Sequence, residues 1–210
     1  MQNKFIIFDL DGTISDPKDG IVGSINYSLA VHGFVERSDN ELIKYIGPPL
    51  DKVFEELADN SDKKQILSLV SKYRERYAKV GYTENTLYDG ILESLEKLAL
   101  KYPLALCTSK RADFAHKIIS LFQIDHLFKI VSGGDVGISK TQQLSELLAN
   151  GTIGPNSIMV GDRNADLIGA HNNKLESVGV LWGYGDYQEL IKESPSMILE
   201  TPQQLSEKII

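Results

Sequence analysis

The chain has 210 residues, of which 42% are hydrophobic and 24% are charged, as in an ordinary globular protein. A net charge of −7 with scattered basic residues argues against a nucleic-acid-binding protein, and the single cysteine, Cys107, excludes an internal disulfide. The apolar runs are too short to span a membrane, and the N-terminal residues lack a signal-peptide pattern. We therefore expect a cytoplasmic protein with neither a nucleic-acid partner nor a membrane partner.

The first predicted strand, residues 5–8, ends at a pair of carboxylates, Asp9 and Asp11. Side chains two residues apart in a strand point to the same face, so these carboxylates are expected to point the same way while the strand lasts. Their mutual repulsion is understandable if a divalent cation lies between them. One carboxylate is then available as a nucleophile and the other as an acid or base, which indicates an enzyme.

Residues 15–82 are predicted to form consecutive helices without a strand. Apolar residues at helical spacing predict helices over residues 21–30, 41–46, 50–58 and 62–78. Gly33 is expected to end the first of these helices. The apolar stripe of the last helix is predicted to consist of Ile66, Leu67, Val70, Tyr73 and Tyr77. We expect this region to be a helical insertion.

From Tyr88 onward, predicted helices and strands alternate. Apolar runs predict strands over residues 103–107, 129–131, 157–160, 177–181 and 197–199. Helices are predicted over residues 91–100, 111–122, 141–149, 166–172, 187–192 and 202–208. This alternation is typical of a three-layer α/β/α fold with a mainly parallel, doubly wound sheet. We predict that residues 1–14 and 83–210 form this α/β core, and that residues 15–82 form a helical domain inserted after the first strand.

Several predicted strands are followed directly by polar or acidic residues. Asp9 and Asp11 follow the first strand, Thr108 follows the next, and Asp162 follows the strand over residues 157–160. Ligand sites of open parallel sheets form at the carboxyl ends of the strands. We therefore expect side chains from separate parts of the chain to line one site.

Together, these residues resemble the haloacid dehalogenase superfamily of phosphohydrolases. The run from Asp9 to Thr13 matches its first signature, Thr108 its second, and the run from Gly161 to Asp166 its fourth. Lys140 is best placed for the lysine of the third signature, and Lys110 is the alternative. The helical insertion corresponds to the cap domain of this superfamily.

Three further stretches resemble the phosphoglycolate phosphatase-like group, whose members carry a helical cap: residues 73–77, 84–90 and 179–185. Trp182 and the glycine-flanked turn after it are expected to form a loop that borders the site. One departure from the group is Lys174, which stands where a glycine usually ends a helix and suggests a different helix cap.

The resemblance implies a Mg²⁺-dependent phosphatase. Asp9 would attack phosphorus to form an aspartyl-phosphate, and Asp11 would first protonate the leaving alcohol and then deprotonate the attacking water. The implied Mg²⁺ ligands are the side chains of Asp9 and Asp162 and the backbone carbonyl of Asp11. Asp166 would be a further ligand or an outer carboxylate, with helix capping as its alternative role.

The resemblance also implies residues that bind phosphate and substrate. Thr108 would donate its hydroxyl to the phosphoryl oxygens, and Lys140 would neutralise the phosphate and hold Asp9 in place. The full predicted phosphate-binding set is Gly12, Thr13, Thr108, Ser109 and Lys140. Substrate choice is expected to lie with the cap, where the candidate substrate-binding residues are Tyr45, Gly47, Pro48 and Arg74.

The expected substrate is a small phosphorylated metabolite such as phosphoglycolate, and the expected assembly is a monomer or a homodimer. A 5′-nucleotidase acting on nucleoside monophosphates is one alternative. A phosphomutase would use the same aspartyl-phosphate but transfer the phosphate to a second hydroxyl. An inactive binding module with this fold is the non-enzymatic alternative. The intact set of proposed catalytic residues argues against the inactive module: Asp9, Asp11, Thr108, Lys140 and Asp162.

Overall fold

The computed structural model describes residues 4–59, 62–134 and 138–209. The chain divides into two compact units. The first, called the core unit, contains the chain up to Asp16 and the chain from Leu87 onward. The second, called the inserted unit, is Pro17–Thr86. Both divisions lie a few residues beyond the boundaries predicted after residues 14 and 82.

The described residues contain the following elements. The strands are β1 (Ile6–Phe8), β2 (Ser15–Asp16), β3 (Thr86–Leu87), β4 (Leu104–Arg111), β5 (Phe128–Gly134), β6 (Ile158–Gly161), β7 (Glu176–Val180) and β8 (Met197–Leu199). The α-helices are α1 (Lys18–Val31), α2 (Asp39–Leu42), α3 (Leu50–Leu57), α4 (Lys63–Lys79), α5 (Ile91–Ala99), α6 (Ala112–Leu121), α7 (Lys140–Ala149), α8 (Asn164–Asn172), α9 (Tyr187–Ile191) and α10 (Gln203–Lys208). Short 3-10 helices lie at Ile43–Tyr45, Gly81–Thr83 and Asp125–Leu127. Within the described ranges, every helix falls short of the length and apolar character that a bilayer span requires.

Six strands form one sheet in the order β5-β4-β1-β6-β7-β8, and β2 pairs with β3 in a separate two-stranded sheet. All pairings within the large sheet are parallel. In the centre, Ile6 of β1 lies opposite Leu104 of β4 on one side and Ile158 of β6 on the other. This order confirms the predicted doubly wound sheet. It also makes the carboxyl ends of β4, β1 and β6 neighbours at one edge.

Both faces of the large sheet are buried. All three residues of β1 are fully buried, although successive side chains of a strand point to opposite faces. On one face, Ile7 shares a core cluster with Cys107 of β4, Leu144 of α7 and Ala170 of α8. Burial raises the pKa of the Cys107 thiol to about 12, as expected for a packed core residue. Apolar strands of this kind need helices on both sides, which gives the predicted three layers.

The inserted unit is helical, and its core lies between α1 and α4. Ser28 of α1 donates its hydroxyl to the carbonyl of Leu69 in α4 over 2.7 Å. Tyr73 stacks on Tyr77 within α4, with ring centroids 5.6 Å apart. The stripe predicted for α4 is wrong at one position, because Leu67 is 68% exposed while Leu69 is fully buried. Leu69 lies one turn from its buried neighbours on the helix, whereas Leu67 points away from them.

Several element ends differ from the prediction. β4 continues to Arg111, past the predicted end at residue 107, so Thr108 and Lys110 lie within the strand. β2 lies at Ser15–Asp16, in a region predicted to be entirely helical. α8 begins at Asn164, before the predicted start at residue 166. The different helix cap expected at Lys174 is wrong: this residue has the left-handed backbone (φ 57°) that glycine usually provides after a helix.

Candidate active site

Asp9 lies directly after β1, at the carboxyl edge of the large sheet. Its backbone N–H donates to the carbonyl of Val160 in β6 over 3.0 Å, which fixes its position between the central strands. Asp11 lies in the turn that follows and forms an isolated bridge with Ser15. Asp9 and Asp11 each contact a different lysine, Lys140 and Lys110 respectively.

Three carboxylates come together at this edge. Asp9 after β1, Asp162 after β6 and Asp166 in the first turn of α8 each offer one carboxylate oxygen, and these oxygens lie within 4.8 Å of one another. All three residues are buried, at 9%, 0% and 2% exposure respectively. Burial, reinforced by the neighbouring charges of Asp166 and Asp9, raises the pKa of Asp162 to about 8. The cluster is therefore costly to ionise without a counter-charge.

Lys140, the first residue of α7, supplies part of that counter-charge. Its Nζ lies 2.8 Å from Asp9 Oδ1 and 3.0 Å from Asp166 Oδ1, and it donates to the Cys107 carbonyl over 2.6 Å. Burial alone would lower the pKa of Lys140, but the carboxylates of Asp166 and Asp9 outweigh burial and raise it. The structure thus places Lys140, rather than Lys110, on the proposed nucleophile.

The position of Asp166 is compatible with both of the roles predicted for it, helix capping and a place in the carboxylate cluster. Its Oδ2 accepts the Arg163 N–H over 3.2 Å, which caps the start of α8, while Oδ1 faces Lys140. Burial raises its pKa to about 6, and the charge of Lys140 opposes that increase. Capping and membership of the carboxylate cluster are therefore compatible, because they use different oxygens.

Lys110 contacts the other carboxylate of the first signature. Its Nζ lies 2.9 Å from Asp11 Oδ2, and its side chain is only 9% exposed. Burial raises the pKa of Asp11, and the charge and hydrogen bond of Lys110 oppose this effect. Asp11 Oδ1 is buried and has no hydrogen-bond partner among the described residues. From the sequence, Lys110 was predicted only as an alternative to Lys140. Its contact with Asp11 was missed because β4 was not predicted to extend past Thr108.

The turn after Asp11 packs against Asp162. Gly12 has a positive φ of 83°, and a Cβ at this position would lie 2.2 Å from Asp162 Oδ2, so only glycine fits. Thr13 is fully buried and donates its hydroxyl to Asp162 Oδ1 over 3.2 Å. The backbone N–H groups of Gly12 and Thr13 donate to the carbonyls of Ser15 and Leu10. The predicted contact of Gly12 and Thr13 with phosphate stays a prediction, and the contact observed for the Thr13 hydroxyl is with Asp162.

Thr108 lies near the end of β4 and is 1% exposed. Its Oγ1 accepts the Lys110 N–H over 3.2 Å, and its carbonyl accepts the Gln143 side-chain amide over 3.1 Å. Ser109 is exposed beside it. The sequence did not single out Gln143, since a glutamine in a predicted helix carries no positional signal. Gln143 ties α7, and thereby Lys140, to the end of β4.

Residues 6–180 match the family of haloacid dehalogenase-like hydrolases. The chain belongs to this family. A 5′-nucleotidase from Pseudomonas aeruginosa is 36% identical over 91% of this chain and 88% of that protein. A phosphoglycolate phosphatase from Aliivibrio fischeri is 26% identical over 93% of this chain and 91% of that protein. The protein in a crystal structure from Clostridium difficile is 35% identical in sequence to this chain. The two structures match with a TM-score of 0.91 over 100% of both chains.

A cation of the Mg²⁺ type fits the donor set of this haloacid dehalogenase-like hydrolase. Mg²⁺ prefers oxygen ligands and is usually bound through carboxylates. Asp9, Asp162 and Asp166 offer such oxygens from two strand ends and a helix start, and they are too buried for water to compensate their charges. The cluster is therefore suited to a divalent cation.

The loop after β7 supports the same carboxylate in this hydrolase. The backbone N–H of Tyr184 donates to Asp162 Oδ2 over 2.9 Å, and the indole N–H of Trp182 donates to the carbonyl of Thr13 over 2.9 Å. The Tyr184 hydroxyl also donates to Asp16. A Cβ at Gly183 would lie 2.2 Å from the Gly12 carbonyl oxygen, so the loop approaches the first turn closely. The sequence predicted that this loop borders the site, but it did not predict the hydrogen bond from Tyr184 to Asp162.

The predicted substrate residues of the insertion lie in the inserted unit. Tyr45 is 8% exposed, and its hydroxyl donates to Glu56 Oε1 over 2.6 Å. Gly47, Pro48 and Arg74 are exposed. The Tyr45 hydroxyl is therefore engaged within the inserted unit, and the substrate-binding role of these residues stays a prediction.

Proposed function

We propose that this hydrolase is a Mg²⁺-dependent phosphatase that hydrolyses the phosphomonoester of a small metabolite through an aspartyl-phosphate. The observation that carries the proposal is the buried carboxylate cluster with Lys140 bound to Asp9. A buried nucleophilic carboxylate beside two further carboxylates and one ammonium is suited to a dianionic phosphate only when a divalent cation is added. Asp9, Asp162 and Asp166 would hold Mg²⁺, which neutralises phosphoryl charge when bound.

The side chains of this chain then divide the reaction between them. Lys140 keeps the Asp9 carboxylate in place by its bond to Oδ1. Asp9 attacks phosphorus while Asp11 gives a proton to the leaving alcohol, which forms the aspartyl-phosphate. Water then attacks this intermediate, Asp11 takes the proton of the water, and inorganic phosphate leaves with Asp9 restored.

Around the transferred phosphate, we propose that the Thr108 hydroxyl, Ser109 and Lys140 contact the phosphoryl oxygens, with Gly12 and Thr13 nearby. The position of Thr108 near the carboxyl end of β4, which pairs with β1, supports this assignment. We further propose that Pro17–Thr86 acts as a cap domain that selects the substrate, with Tyr45, Gly47, Pro48 and Arg74 as its candidate contacts. The separate helical fold of this unit supports that division of work.

Two substrate classes follow from the relatives. The similarity to the Pseudomonas aeruginosa 5′-nucleotidase supports nucleoside monophosphates as substrates of this chain. That protein is 36% identical to the chain, compared with 26% for the Aliivibrio fischeri phosphoglycolate phosphatase. The similarity to the Aliivibrio fischeri phosphoglycolate phosphatase supports phosphoglycolate as the substrate. Comparison of kcat/KM for nucleoside monophosphates, phosphoglycolate and hexose phosphates decides between them.

The test of the reaction is release of inorganic phosphate from p-nitrophenyl phosphate, with Mg²⁺ and with EDTA. Asp9→Asn should abolish release, and Asp113→Asn should leave it unchanged because Asp113 is a surface carboxylate paired with Arg111. A phosphomutase would transfer phosphate to a second hydroxyl without net release, and an inactive module would release none. Activity that survives EDTA, or an active Asp9→Asn variant, contradicts the proposed mechanism.

A further inference from the structure

Two lysines at this site serve two different aspartates. Lys140 contacts Asp9 and Asp166, whereas Lys110 contacts Asp11 Oδ2 at 2.9 Å. The Lys110 side chain, at 9% exposure, is far more buried than a lysine at the surface of a strand end. Its own backbone N–H is anchored on the Thr108 hydroxyl oxygen. The ammonium of Lys110 is therefore held against one carboxylate oxygen of Asp11 by the strand that carries it.

The two oxygens of Asp11 have different surroundings. Oδ2 faces the Lys110 ammonium, and Oδ1 is buried without a hydrogen-bond partner among the described residues. An ammonium has three donors and no acceptor, so the oxygen that faces it must accept. Oδ2 is therefore engaged by the ammonium, and Oδ1 is the oxygen left to contact a leaving group. A buried carboxylate oxygen without a hydrogen-bond partner needs an explanation. One explanation is that Oδ1 finds its partner only during the reaction, in the leaving group.

We propose that Lys110 is a positioning residue for Asp11, which it orients so that Oδ1 is the oxygen that exchanges a proton with the leaving group. This inference rests on the proposed function, since it assumes that Asp11 is the acid of a phosphatase. Lys110 acts through Asp11 and not on the phosphate. It should therefore matter most when the leaving group needs a proton.

The test compares three phosphomonoesters of similar size: p-nitrophenyl, phenyl and benzyl phosphate. p-Nitrophenolate leaves readily without a proton, phenolate less readily, and the benzyl alkoxide least. The measured quantity is kcat/KM, which covers only the steps up to release of the alcohol and excludes the later hydrolysis of the intermediate. Lys110→Met should lower kcat/KM for benzyl phosphate by roughly 10- to 100-fold, a part of the usual effect of general acid catalysis, and for p-nitrophenyl phosphate by less than about 3-fold.

Control variants distinguish a loss of Asp11 orientation from a loss of positive charge and from a loss of folding. Lys110→Arg keeps a cation and a donor, so it should recover part of the loss with benzyl phosphate. Arg111→Met changes the next residue of β4, whose guanidinium pairs with Asp113 at the surface, and it should leave all three substrates unchanged. In an Asp11→Asn background, Lys110→Met should cause no further selective loss, because the two residues act as a unit.

Three outcomes would overturn the inference. Equal losses with all three substrates would show that Lys110 acts on the phosphoryl group, and no loss with any would show that the ion pair has no catalytic effect. A selective loss that persists in full in the Asp11→Asn background would show that Lys110 does not act through Asp11. Failure of the proposed function is distinguishable, because wild-type protein would then release no p-nitrophenol with Mg²⁺. If Lys110→Met does not fold, Lys110→Arg still reports the same substrate dependence.

Discussion

Replacement of Asp162 by asparagine is expected to stabilise the metal-free protein. Asp162 is fully buried and accepts hydrogen bonds from the Thr13 hydroxyl at 3.2 Å and the Tyr184 N–H at 2.9 Å. Burial, reinforced by the charges of Asp166 and Asp9, raises its pKa to about 8. Because this folded-state pKa lies above the unfolded value, the contribution of Asp162 to stability is fully present below about pH 4 and is lost as the pH rises through about 8.

The magnitude follows from the difference between the two pKa values. An ordinary aspartate titrates near about 4, so a folded-state pKa of about 8 corresponds to a cost on the order of 5 kcal/mol for ionising Asp162 in the folded protein. Asparagine has a similar shape and no charge. Its oxygen can accept the Tyr184 N–H, and its amide can donate to the Thr13 hydroxyl, so no buried polar atom loses its partner. We expect Asp162→Asn to raise the free energy of unfolding by several kcal/mol near pH 8.

The assay is urea unfolding in EDTA at about pH 5 and about pH 8. The gain of Asp162→Asn over wild type should grow between these two values, while the exposed variant Asp113→Asn should show no such growth. Added Mg²⁺ should raise the free energy of unfolding of wild type and not of Asp162→Asn. A gain that does not change with pH, or a variant less stable than wild type near pH 8, would refute the reasoning.

Three further substitutions test local parts of the structure. Lys174→Gly should stabilise the protein by roughly 1 kcal/mol in urea unfolding, because a non-glycine residue at φ 57° is strained; a loss of stability would contradict that account. Leu69→Ala should cost about 2–4 kcal/mol and Leu67→Ala less than about 0.5, since only Leu69 is buried; equal costs would contradict the packing of α4. Gly12→Ala should lower kcat/KM about 100-fold with p-nitrophenyl phosphate, because its Cβ would displace Asp162, and near-normal activity would show that the turn can relax.

The sheet and the strand ends could be predicted from the sequence because their signals are local. Each central strand is a short apolar run, and each run is followed within a few residues by a polar residue such as Asp9, Thr108 or Asp162. The order of the residues along the chain favoured Lys140 over Lys110 for the third signature, but it gave Lys110 no role of its own. Both lysines follow strand-like segments, and only the three-dimensional arrangement shows that Lys140 reaches Asp9 while Lys110 reaches Asp11.

Other parts of the prediction failed for physical reasons. In α4, Leu69 lies three residues after Ile66 and four before Tyr73, on the buried stripe, whereas Leu67 lies off it, so helical spacing itself favoured Leu69 and the stripe was misassigned. At the end of α8, Lys174 shows that a helix can keep its left-handed cap without glycine when the surrounding structure holds the backbone. Tyr184 contacts Asp162 through a backbone N–H, which any residue except proline provides, so residue type carried no signal for it.

The charges at the site separate metal binding from proton transfer. Asp9, Asp162 and Asp166 carry three negative charges when ionised and Lys140 one positive charge, so this group has a net charge of −3 + 1 = −2. A divalent cation balances that group, whereas a monovalent cation would leave a buried charge uncompensated. Asp11 and Lys110 form a second group that is neutral by itself. Loss of the cation is therefore expected to destabilise the first group and leave the second intact, so a change at Lys110 and a change at Asp162 should affect different steps.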